Sequence, residues 1–241
     1  MFTRRNIDTE TAARTGTLHL RHGDVRTPAF MPVGTQGTVK AISHETLEKI
    51  GYNLILGNTY HLYIRPGTGV IQNAGGLHGF SGWNGNILTD SGGYQVFSLA
   101  RLRTIDTEGV RFQSHIDGAY HTFTPESVVD IQHTLGSDVL MPLDVCTPPG
   151  IDWKDALEAL VTTTEWAGRS KSRLRTYEGF YGKLFGIIQG NFYPDLRKRS
   201  AEEINALDFP GVAVGGLSVG EEPAQYHDFL ALTAEFLPEE K

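Results

Sequence analysis

The residues best suited to chemistry follow an apolar segment near the middle of the chain. The stretch 87–99, ILTDSGGYQVFSL, begins as a strand and continues directly into a carboxylate, a serine, two glycines and a tyrosine. Asp90 could act as a general acid/base or anchor a donor, and Tyr94 offers a ring for stacking. Gly92 and Gly93 let the backbone turn sharply and let a flat ligand approach the main chain. A structural interpretation, with Asp90 as a helix N-cap after a tight turn, accounts for this stretch about equally well.

Other predicted strands also end in polar residues or glycine. Six apolar segments predict strands, each followed by helical sequence, at 28–33, 53–56, 87–89, 138–143, 184–188 and 212–214. The residues that follow these strands include Gly34, Thr35, Gln36, Asn58, Thr59, Asp90–Tyr94, Asp144, Gln189, Gly215, Gly216 and Glu221. In parallel α/β folds, the loops at the carboxyl ends of the strands carry the functional site. Polar residues at so many strand ends favour a functional rim over a collection of structural caps.

The segments between these strands predict helices and one antiparallel excursion. Helices are predicted from Ser43 to Ile50, from a Thr124 cap to Leu135, and at about 152–177, 195–207 and 223–237. Between residues 108 and 123, alternating residues around Asp117-Gly118 predict a β-hairpin. No repeat or linker interrupts the pattern, so the sequence predicts one α/β unit with a parallel sheet.

Composition limits the class of protein. The chain has 241 residues, 39% of them hydrophobic, which is enough for one sizeable core. Its net charge of −7, from 21 basic and 28 acidic residues, argues against a generic nucleic-acid-coating protein. Two basic clusters, 169–175 and 197–199, are interpreted as solvated helix faces. The single cysteine, Cys146, excludes an internal disulfide. Since no signal peptide or 18-residue apolar run is found, we expect a cytoplasmic protein without a membrane span.

Several common site motifs are missing from the sequence. No glycine pattern matches a dinucleotide fingerprint or a P-loop. The nine histidines form no HxH or HExxH pair, so the chain is not expected to build a metal site. His61, after the second predicted strand, is interpreted as a packed loop residue rather than a site residue.

The polar residues at the strand ends suit one kind of ligand. A carboxylate such as Asp90 or Asp144 accepts from an N–H/NH₂ pair, as on guanine. Gln189 and the backbone amides near Gly216 suit a carbonyl oxygen, and Tyr94 could stack on the ring. The residue types therefore favour a purine-like ligand.

Six longer motifs resemble those of the bacterial tRNA-guanine transglycosylases. They are MPVGTQGTVKA (31–41), LGNTYHLYIRPG (56–67), LTDSGGYQVFSL (88–99), PLDVCTPP (142–149), GIIQGN (186–191) and VGGLSVGE (214–221). Their order is the family's order, and they extend over essentially the whole chain. The resemblance implies a TIM (β/α)8 barrel and a glycosyltransferase that exchanges the wobble guanine of tRNA anticodons for a 7-deazaguanine queuosine precursor. A covalent enzyme–RNA intermediate is part of that implied mechanism.

The resemblance also implies roles for individual residues. Asp90 matches the acid/base aspartate of the family, and Tyr94 its stacking residue. Asp144 matches the aspartate that reads the guanine edge, while Gln189 and Gly216 match the groups that hold the carbonyl. The complete set of implied substrate-binding residues is Ser91, Gly92, Gly93, Tyr94, Asp144, Cys146, Gln189, Gly215, Gly216, Leu217 and Glu221. Leu217 and Glu221 match the loop that senses the substituent at position 7.

The sequence departs from the family pattern in two respects. Residues 1–241 end after about six βα units, which predicts an incomplete barrel with the hairpin of 108–123 as an insertion. The covalent nucleophile, the last two strands, the Cys/His zinc ligands and most of the tRNA-binding surface are then expected beyond Lys241. We expect a fragment of a longer enzyme, or one product of a split gene. Val145 stands where bacterial members usually have glutamate, which leaves the identity of the incoming base open.

The implied partners are the tRNA anticodon loop, guanine, a 7-deazaguanine base and a second copy of the complete chain in a homodimer. Arg101 and Arg103 are the expected phosphate contacts. One alternative is a non-catalytic base- or tRNA-binding partner subunit. Another is a hydrolase that uses Asp90 and Asp144 as a carboxylate pair.

Overall fold

The structure is a computed structural model, and it describes residues 1–11, 13–99 and 102–238. Its strands are β1 (Phe2–Ile7), β2 (Arg14–Leu20), β3 (Gly23–Thr27), β4 (Leu54–Gly57), β5 (Asn86–Thr89), β6 (Arg103–Ile105), β7 (Val110–Gln113), β8 (Tyr120–Phe123), β9 (Val139–Leu140), β10 (Lys183–Leu184), β11 (Gly186–Ile188) and β12 (Val212–Val214). Its helices are α1 (His44–Ile50), α2 (Thr59–Ile64), α3 (Thr68–Asn73), α4 (Gly76–Ser81), α5 (Gly93–Leu99), α6 (Pro125–Leu135), α7 (Trp153–Leu174), α8 (Pro194–Ala206) and α9 (Pro223–Ala234).

A parallel sheet with the order β10-β9-β5-β4 lies at the centre of the fold, and β11 and β12 form a second parallel pair. This is the α/β arrangement that the sequence predicts. The register pairs Gly57 with Thr89 and Thr89 with Leu140. The residues that follow these pairs, Asn58 and Asp90 among them, therefore leave the sheet at the same edge.

The predicted first strand at 28–33 is wrong. Only Val33 forms a bridge, to Leu56 of β4, and Phe30 is 71% exposed. Pro28 and Pro32 have no N–H group to donate to a neighbouring strand, so this segment cannot form a continuous ladder.

Two other predicted strands are shorter or divided. The predicted strand at 138–143 is reduced to β9, because Pro142 has no N–H with which to extend the ladder. The predicted strand at 184–188 divides around Phe185, with β10 on β9 and β11 on β12. The predicted strand at 212–214 matches β12.

An antiparallel meander of β1, β2 and β3 precedes the parallel sheet and was not predicted. Its second turn docks at the amino ends of the central strands. The His22 amide donates to Asn86 Oδ1 (3.0 Å), and Asn86 Nδ2 donates to the Gly23 carbonyl (3.0 Å). The meander therefore covers the end of the sheet opposite to Asp90.

The helix caps follow the predicted chemistry. Ser43 accepts from the Thr46 amide at the start of α1, and Thr124 accepts from the Ser127 amide at the start of α6. The short helices α2, α3 and α4 were not predicted, because a helix of six residues is too short to give a clear periodic signal.

A separate antiparallel sheet contains β6, β7 and β8. In β7 and β8, Val110 pairs with Phe123, and the connecting turn contains Gly118 at a φ of 73°. Phe112 and Phe123 are fully buried in the main hydrophobic core.

The basic cluster at 169–175 joins two helices rather than only facing solvent. Arg169 of α7 forms a two-point ion pair with Glu126 of α6, with N–O distances of 2.8 and 2.9 Å. Arg173 does the same with Asp130 at 2.6 and 3.0 Å. In the described residues, no helix is both long and apolar enough to cross a membrane.

Candidate functional site

A cavity of about 290 Å³ opens at the carboxyl ends of the parallel strands. Its lining residues are Asp90, Ser91, Gly92, Tyr94, Gln95, Met141, Asp144, Cys146, Ile187, Gly216, Leu217, Ser218 and Val219. Most of the residues predicted from the sequence therefore lie around one space. Tyr94 is 47% exposed, so its side chain is accessible to a ligand.

Asp90 is held by donors from two neighbouring strand ends. Its Oδ1 accepts from the amides of Thr59 (2.8 Å) and Gly92 (3.2 Å). Its Oδ2 accepts from Asn58 Nδ2 (2.5 Å) and Gln95 Nε2 (3.0 Å). Burial raises the pKa of Asp90, and these hydrogen bonds oppose that effect. The structure thus places an oriented carboxylate, rather than a simple helix cap, at the end of β5.

Asp144 faces the same cavity from the segment after β9. Ser91 Oγ donates to Asp144 Oδ1 (3.0 Å), and Gln189 Nε2 donates to Oδ2 (2.8 Å). Burial raises the pKa of Asp144, and the charge of Asp90 adds to that effect. A Cβ on Gly93 would lie 2.8 Å from Asp144 Oδ1, so the carboxylate approaches the backbone where only glycine fits.

Gln189 lies behind the cavity wall, and its side chain occupies the space into which a Cβ on either of two glycines would point. Its side chain would be 2.8 Å from a Cβ on Gly215 and 2.5 Å from a Cβ on Gly216. Gly216 also has a φ of 65°, a conformation that favours glycine. The loop after β12 therefore runs close to Gln189, which in turn contacts Asp144.

Glu221 lies outside the cavity lining and supports the loop in front of it. Its carboxylate accepts from the amides of Ser218 and Val219, the latter at 2.8 Å. Burial alone would raise the pKa of Glu221, but the amides around it hold that pKa below its usual value. An ionised Glu221 thus fixes the backbone of residues 218–219.

Cys146 lines the cavity as a buried, protonated thiol. Burial and the neighbouring charge of Asp144 raise the pKa of Cys146 to about 12. A thiol of this kind is a poor nucleophile. Val145 packs against the main core, and its amide donates to Thr163 Oγ1 (3.0 Å).

Comparison with known proteins identifies the family of this chain. The sequence pattern of the queuine tRNA-ribosyltransferases matches residues 8–241. The chain belongs to this family. It is 52% identical to a queuine tRNA-ribosyltransferase of Borrelia duttonii over 242 residues, which is all of this chain and 64% of the relative. It is 51% identical to one of Dictyoglomus turgidum, and 54% identical to one of Nitratidesulfovibrio vulgaris. These alignments cover 97% of this chain and 60% and 62% of the relatives.

The chain thus spans slightly less than two thirds of the length of these queuine tRNA-ribosyltransferases. The sequence motifs indicated a transglycosylase family, and the match to the family's sequence pattern confirms this membership.

Several residues around the cavity were not predicted as site residues. Gln95, Met141, Ile187, Ser218 and Val219 line it. Met141 and Ile187 lie in apolar runs, where the sequence distinguishes no inward-facing position. Asn58 and Thr59 belonged to the predicted polar rim, but their contact with Asp90 depends on the register of β4 and β5.

His61 is not among the residues that line the cavity, and it lies in helix α2 rather than in the loop that the sequence suggested. It packs against Tyr60 and His115 beneath the β7–β8 pair, with ring centroids 5.3 and 5.9 Å away. Burial and the charge of His115 lower the pKa of His61. Arg103 lies with its guanidinium over the Phe97 ring at 4.4 Å. Arg101, the other expected phosphate contact, lies outside the described residues.

Within the described ranges, one group of side chains could ligate a metal, and it lies at the opposite end of the sheet. His22, His78 and Asp138 bring two imidazoles and a carboxylate within 4.8 Å of one another, a donor set that zinc accepts. However, these atoms already pair with one another or with the backbone. His22 Nδ1 lies 2.7 Å from Asp138 Oδ1, and His78 Nε2 lies 3.0 Å from the Gly85 carbonyl. Asp138 Oδ2 also accepts from the Ile87 amide (2.8 Å). The group therefore fits a hydrogen-bonded network better than a zinc site.

Proposed function

We propose that this chain forms the base-recognition part of a tRNA-guanine transglycosylase. The complete enzyme would exchange the wobble guanine of a tRNA anticodon for a 7-deazaguanine precursor of queuosine. The observation that carries the proposal is the placement of two half-buried carboxylates, Asp90 and Asp144, in one cavity beside the accessible ring of Tyr94. Membership of the queuine tRNA-ribosyltransferase family supports the same activity.

The cavity offers complementary groups to each edge of guanine. The carboxylate of Asp144 accepts from the N1–H and 2-amino groups of the base, and Gln189 orients that carboxylate. The amides of the loop at Gly216 donate to the 6-oxygen, and Gln189 lies behind that loop. Tyr94 stacks on the ring plane. A base with the wrong donor pattern would place an acceptor against the Asp144 carboxylate or leave its remaining acceptor positions without a donor, which supplies selectivity.

Asp90 has the position and environment of a general acid/base. It stands at the carboxyl end of β5, and burial favours its protonated form more than in water. In the proposed reaction, a carboxylate nucleophile attacks the anomeric carbon of the ribose, the bond to guanine breaks, and the protonated Asp90 gives its proton to the departing base. The incoming base loses a proton as it displaces the enzyme from the same carbon. Asp90 is the group that we assign to this proton transfer.

The remaining parts of the machinery are assigned outside this chain. Since the chain spans 64% of a relative's length, we place the covalent nucleophile, the zinc ligands and the last strands of a (β/α)8 barrel in the remaining sequence. Residues 1–241 would then supply about six βα units, with the β7–β8 hairpin as an insertion. A homodimer, a tRNA anticodon loop held partly by Arg103, and a cytoplasmic location belong to the same proposal.

A guanine-binding measurement tests the proposed pocket directly. By titration calorimetry, the 241-residue chain should bind guanine and not adenine. Asp144→Ala should weaken guanine binding roughly 10- to 100-fold, the cost of hydrogen bonds to a charged group. Asp228→Ala, on the exposed surface of α9, is the matched control and should bind like the wild type. Absence of guanine binding by the wild type would contradict the proposal.

An exchange assay separates the two carboxylates. In the complete enzyme, Asp90→Ala should abolish incorporation of labelled guanine into tRNA, because the proton transfer is lost. Asp144→Ala should mainly raise the guanine concentration that is needed. Equal and mild effects of the two substitutions would overturn the assignment of roles.

A further inference from the structure

A completely buried arginine lies directly behind the cavity. Arg197 belongs to the basic cluster 197–199, which the sequence suggested to be a solvated helix face, and the structure corrects that expectation: its exposure is 0%. The other two members of the cluster follow the expectation, since Lys198 and Arg199 have exposed side chains that pair with Glu202 and Glu203. Arg197 therefore has a different role from its neighbours on α8.

The guanidinium of Arg197 is satisfied by backbone carbonyls. Its Nε donates to Asn191 (2.8 Å), its Nη1 to Gly215 (2.6 Å) and Ile188 (3.4 Å), and its Nη2 to Gly216 (3.3 Å). Among the described residues, no carboxylate forms an ion pair with it. Burial lowers the pKa of Arg197 to about 10, which leaves it charged at neutral pH. The charged guanidinium thus binds two consecutive carbonyls of the loop after β12, and both carbonyls point away from the cavity.

The orientation of those carbonyls determines where the next amides point. In a trans peptide unit, the C=O and the following N–H lie on opposite sides. Because the Gly215 carbonyl points at Arg197, the Gly216 N–H points away from it. The Gly216 carbonyl also points at Arg197, so the Leu217 N–H points away as well. Gly216 and Leu217 both line the cavity.

These two amides are available to a ligand. Neither the Gly216 nor the Leu217 N–H donates to another residue in the part of the chain that the structure describes. The next two amides, of Ser218 and Val219, are occupied by Glu221. The loop therefore presents two adjacent free donors to the cavity, with its backbone fixed by Arg197 on one side and by Glu221 on the other.

We propose that Arg197 is a positioning residue that holds the Gly216 and Leu217 amides toward the 6-oxygen of the bound purine. The inference rests on the proposed function and adds a residue to it. The planar guanidinium suits this role because it donates in three directions from one rigid group, which a lysine ammonium on a flexible stem cannot reproduce. Arg197 acts on the ligand only through the backbone, and its effect is confined to recognition of the oxygen.

A comparison of two purines tests this role. Guanine carries the 6-oxygen, whereas 2-aminopurine keeps the 2-amino group but lacks that oxygen and the N1–H, so the effect of the substitution is measured for each purine separately. In Arg197→Lys, guanine binding by calorimetry should weaken about tenfold, as expected for a poorly oriented hydrogen bond, while 2-aminopurine binding should change less than about twofold. Arg199→Lys makes the same substitution at an exposed position of α8 and should leave both affinities unchanged.

The outcomes distinguish the inference from the proposed function. If the wild type binds guanine and Arg197→Lys weakens both purines equally, or neither, Arg197 has only a structural role and the inference is wrong. If the wild type binds no guanine, the proposed function fails and the inference falls with it.

A measurement on the wild type alone decides the case in which Arg197→Lys does not fold. In ¹⁵N-labelled protein, guanine should shift the Gly216 and Leu217 amide resonances downfield, and 2-aminopurine should not. Equal responses to the two purines would overturn the inference.

Discussion

The two half-buried carboxylates in the cavity have different hydrogen-bonding environments. Asp90 accepts from four donors, which lie directly after β4, at the start of α2, directly after β5 and in α5. Asp144 accepts from two side chains, Ser91 and Gln189, and retains capacity for a ligand. At the residue scale, this difference favours proton transfer for Asp90 and recognition for Asp144.

The raised pKa of Asp144 predicts how its contribution to stability depends on pH. Because burial favours the protonated form in the folded state, the folded protein binds more protons than the unfolded chain just above the usual carboxyl range. The contribution of Asp144 to the free energy of unfolding is therefore fully present below its pKa in the unfolded chain. It is lost as the pH rises through its pKa in the folded protein. Asp144→Asn is neutral at every pH, so its melting temperature relative to the wild type should increase from pH 4 to pH 7.

Thermal unfolding followed by circular dichroism measures this difference. Asp228→Asn, on the exposed face of α9, is the control and should show no such trend. A constant difference between Asp144→Asn and the wild type across that pH range would contradict the raised pKa.

Cys146 should be inert in the folded protein. With its pKa raised from 9.0 to about 12, the thiolate fraction at pH 8 falls about a thousandfold. Iodoacetamide should therefore label the native protein at least about a hundredfold more slowly than the same chain in 8 M urea, as measured by mass spectrometry. Rapid labelling of the native chain would show that the thiol is accessible or ionised.

At the scale of the elements, one buried amide side chain connects α6 to the strands that carry the site. Gln132 Oε1 accepts from the Met141 amide and from Thr89 Oγ1, both at 2.9 Å. Gln132 Nε2 donates to the Met141 carbonyl (2.8 Å). Met141 has no partner strand at this point, and Pro142 ends the ladder. Gln132 thus makes the hydrogen bonds to Met141 that a neighbouring strand would otherwise make, and it holds the segment that leads to Asp144 in place.

Replacement of this amide should be costly. Gln132→Leu leaves both backbone groups of Met141 buried without partners, at about 1–3 kcal/mol each, so we expect a loss of about 2–5 kcal/mol in the free energy of unfolding. Urea denaturation measures it. Gln72→Leu, at an exposed position of α3, makes the same substitution and should change stability by less than about 0.5 kcal/mol. Similar losses in the two variants would show that Gln132 does not have this function.

At the scale of the whole molecule, the two ends of the parallel sheet serve different purposes. The carboxyl ends carry the cavity, while the amino ends are closed by the β1–β3 meander and the network of His22, His78 and Asp138. The network lies between elements that are far apart in sequence. It therefore contributes to stability, because it attaches the meander to the sheet.

Metal analysis distinguishes this interpretation from a zinc site. After dialysis, the 241-residue chain should contain well below one equivalent of zinc, and EDTA should not change its melting temperature. His22→Ala should lower the melting temperature because Asp138 loses its partner, whereas His227→Ala, at an exposed position of α9, should not. One equivalent of zinc that is lost in His22→Ala would establish a metal site at this end.

The sequence by itself determined the α/β class, the main helices with their caps, and most residues around the cavity. These features depend on local signals: apolar segments, a Ser43 or Thr124 cap, and polar residues directly after a strand. The tertiary structure decided the rest. The segment 28–33 has a strand-like sequence, but its two prolines have no N–H group to donate to a neighbouring strand. The meander docks through contacts with Asn86 that span more than 60 residues of sequence. Arg197 is the clearest case, because a basic triplet on a helix indicates solvent unless the positions of the Gly215 and Gly216 carbonyls are known.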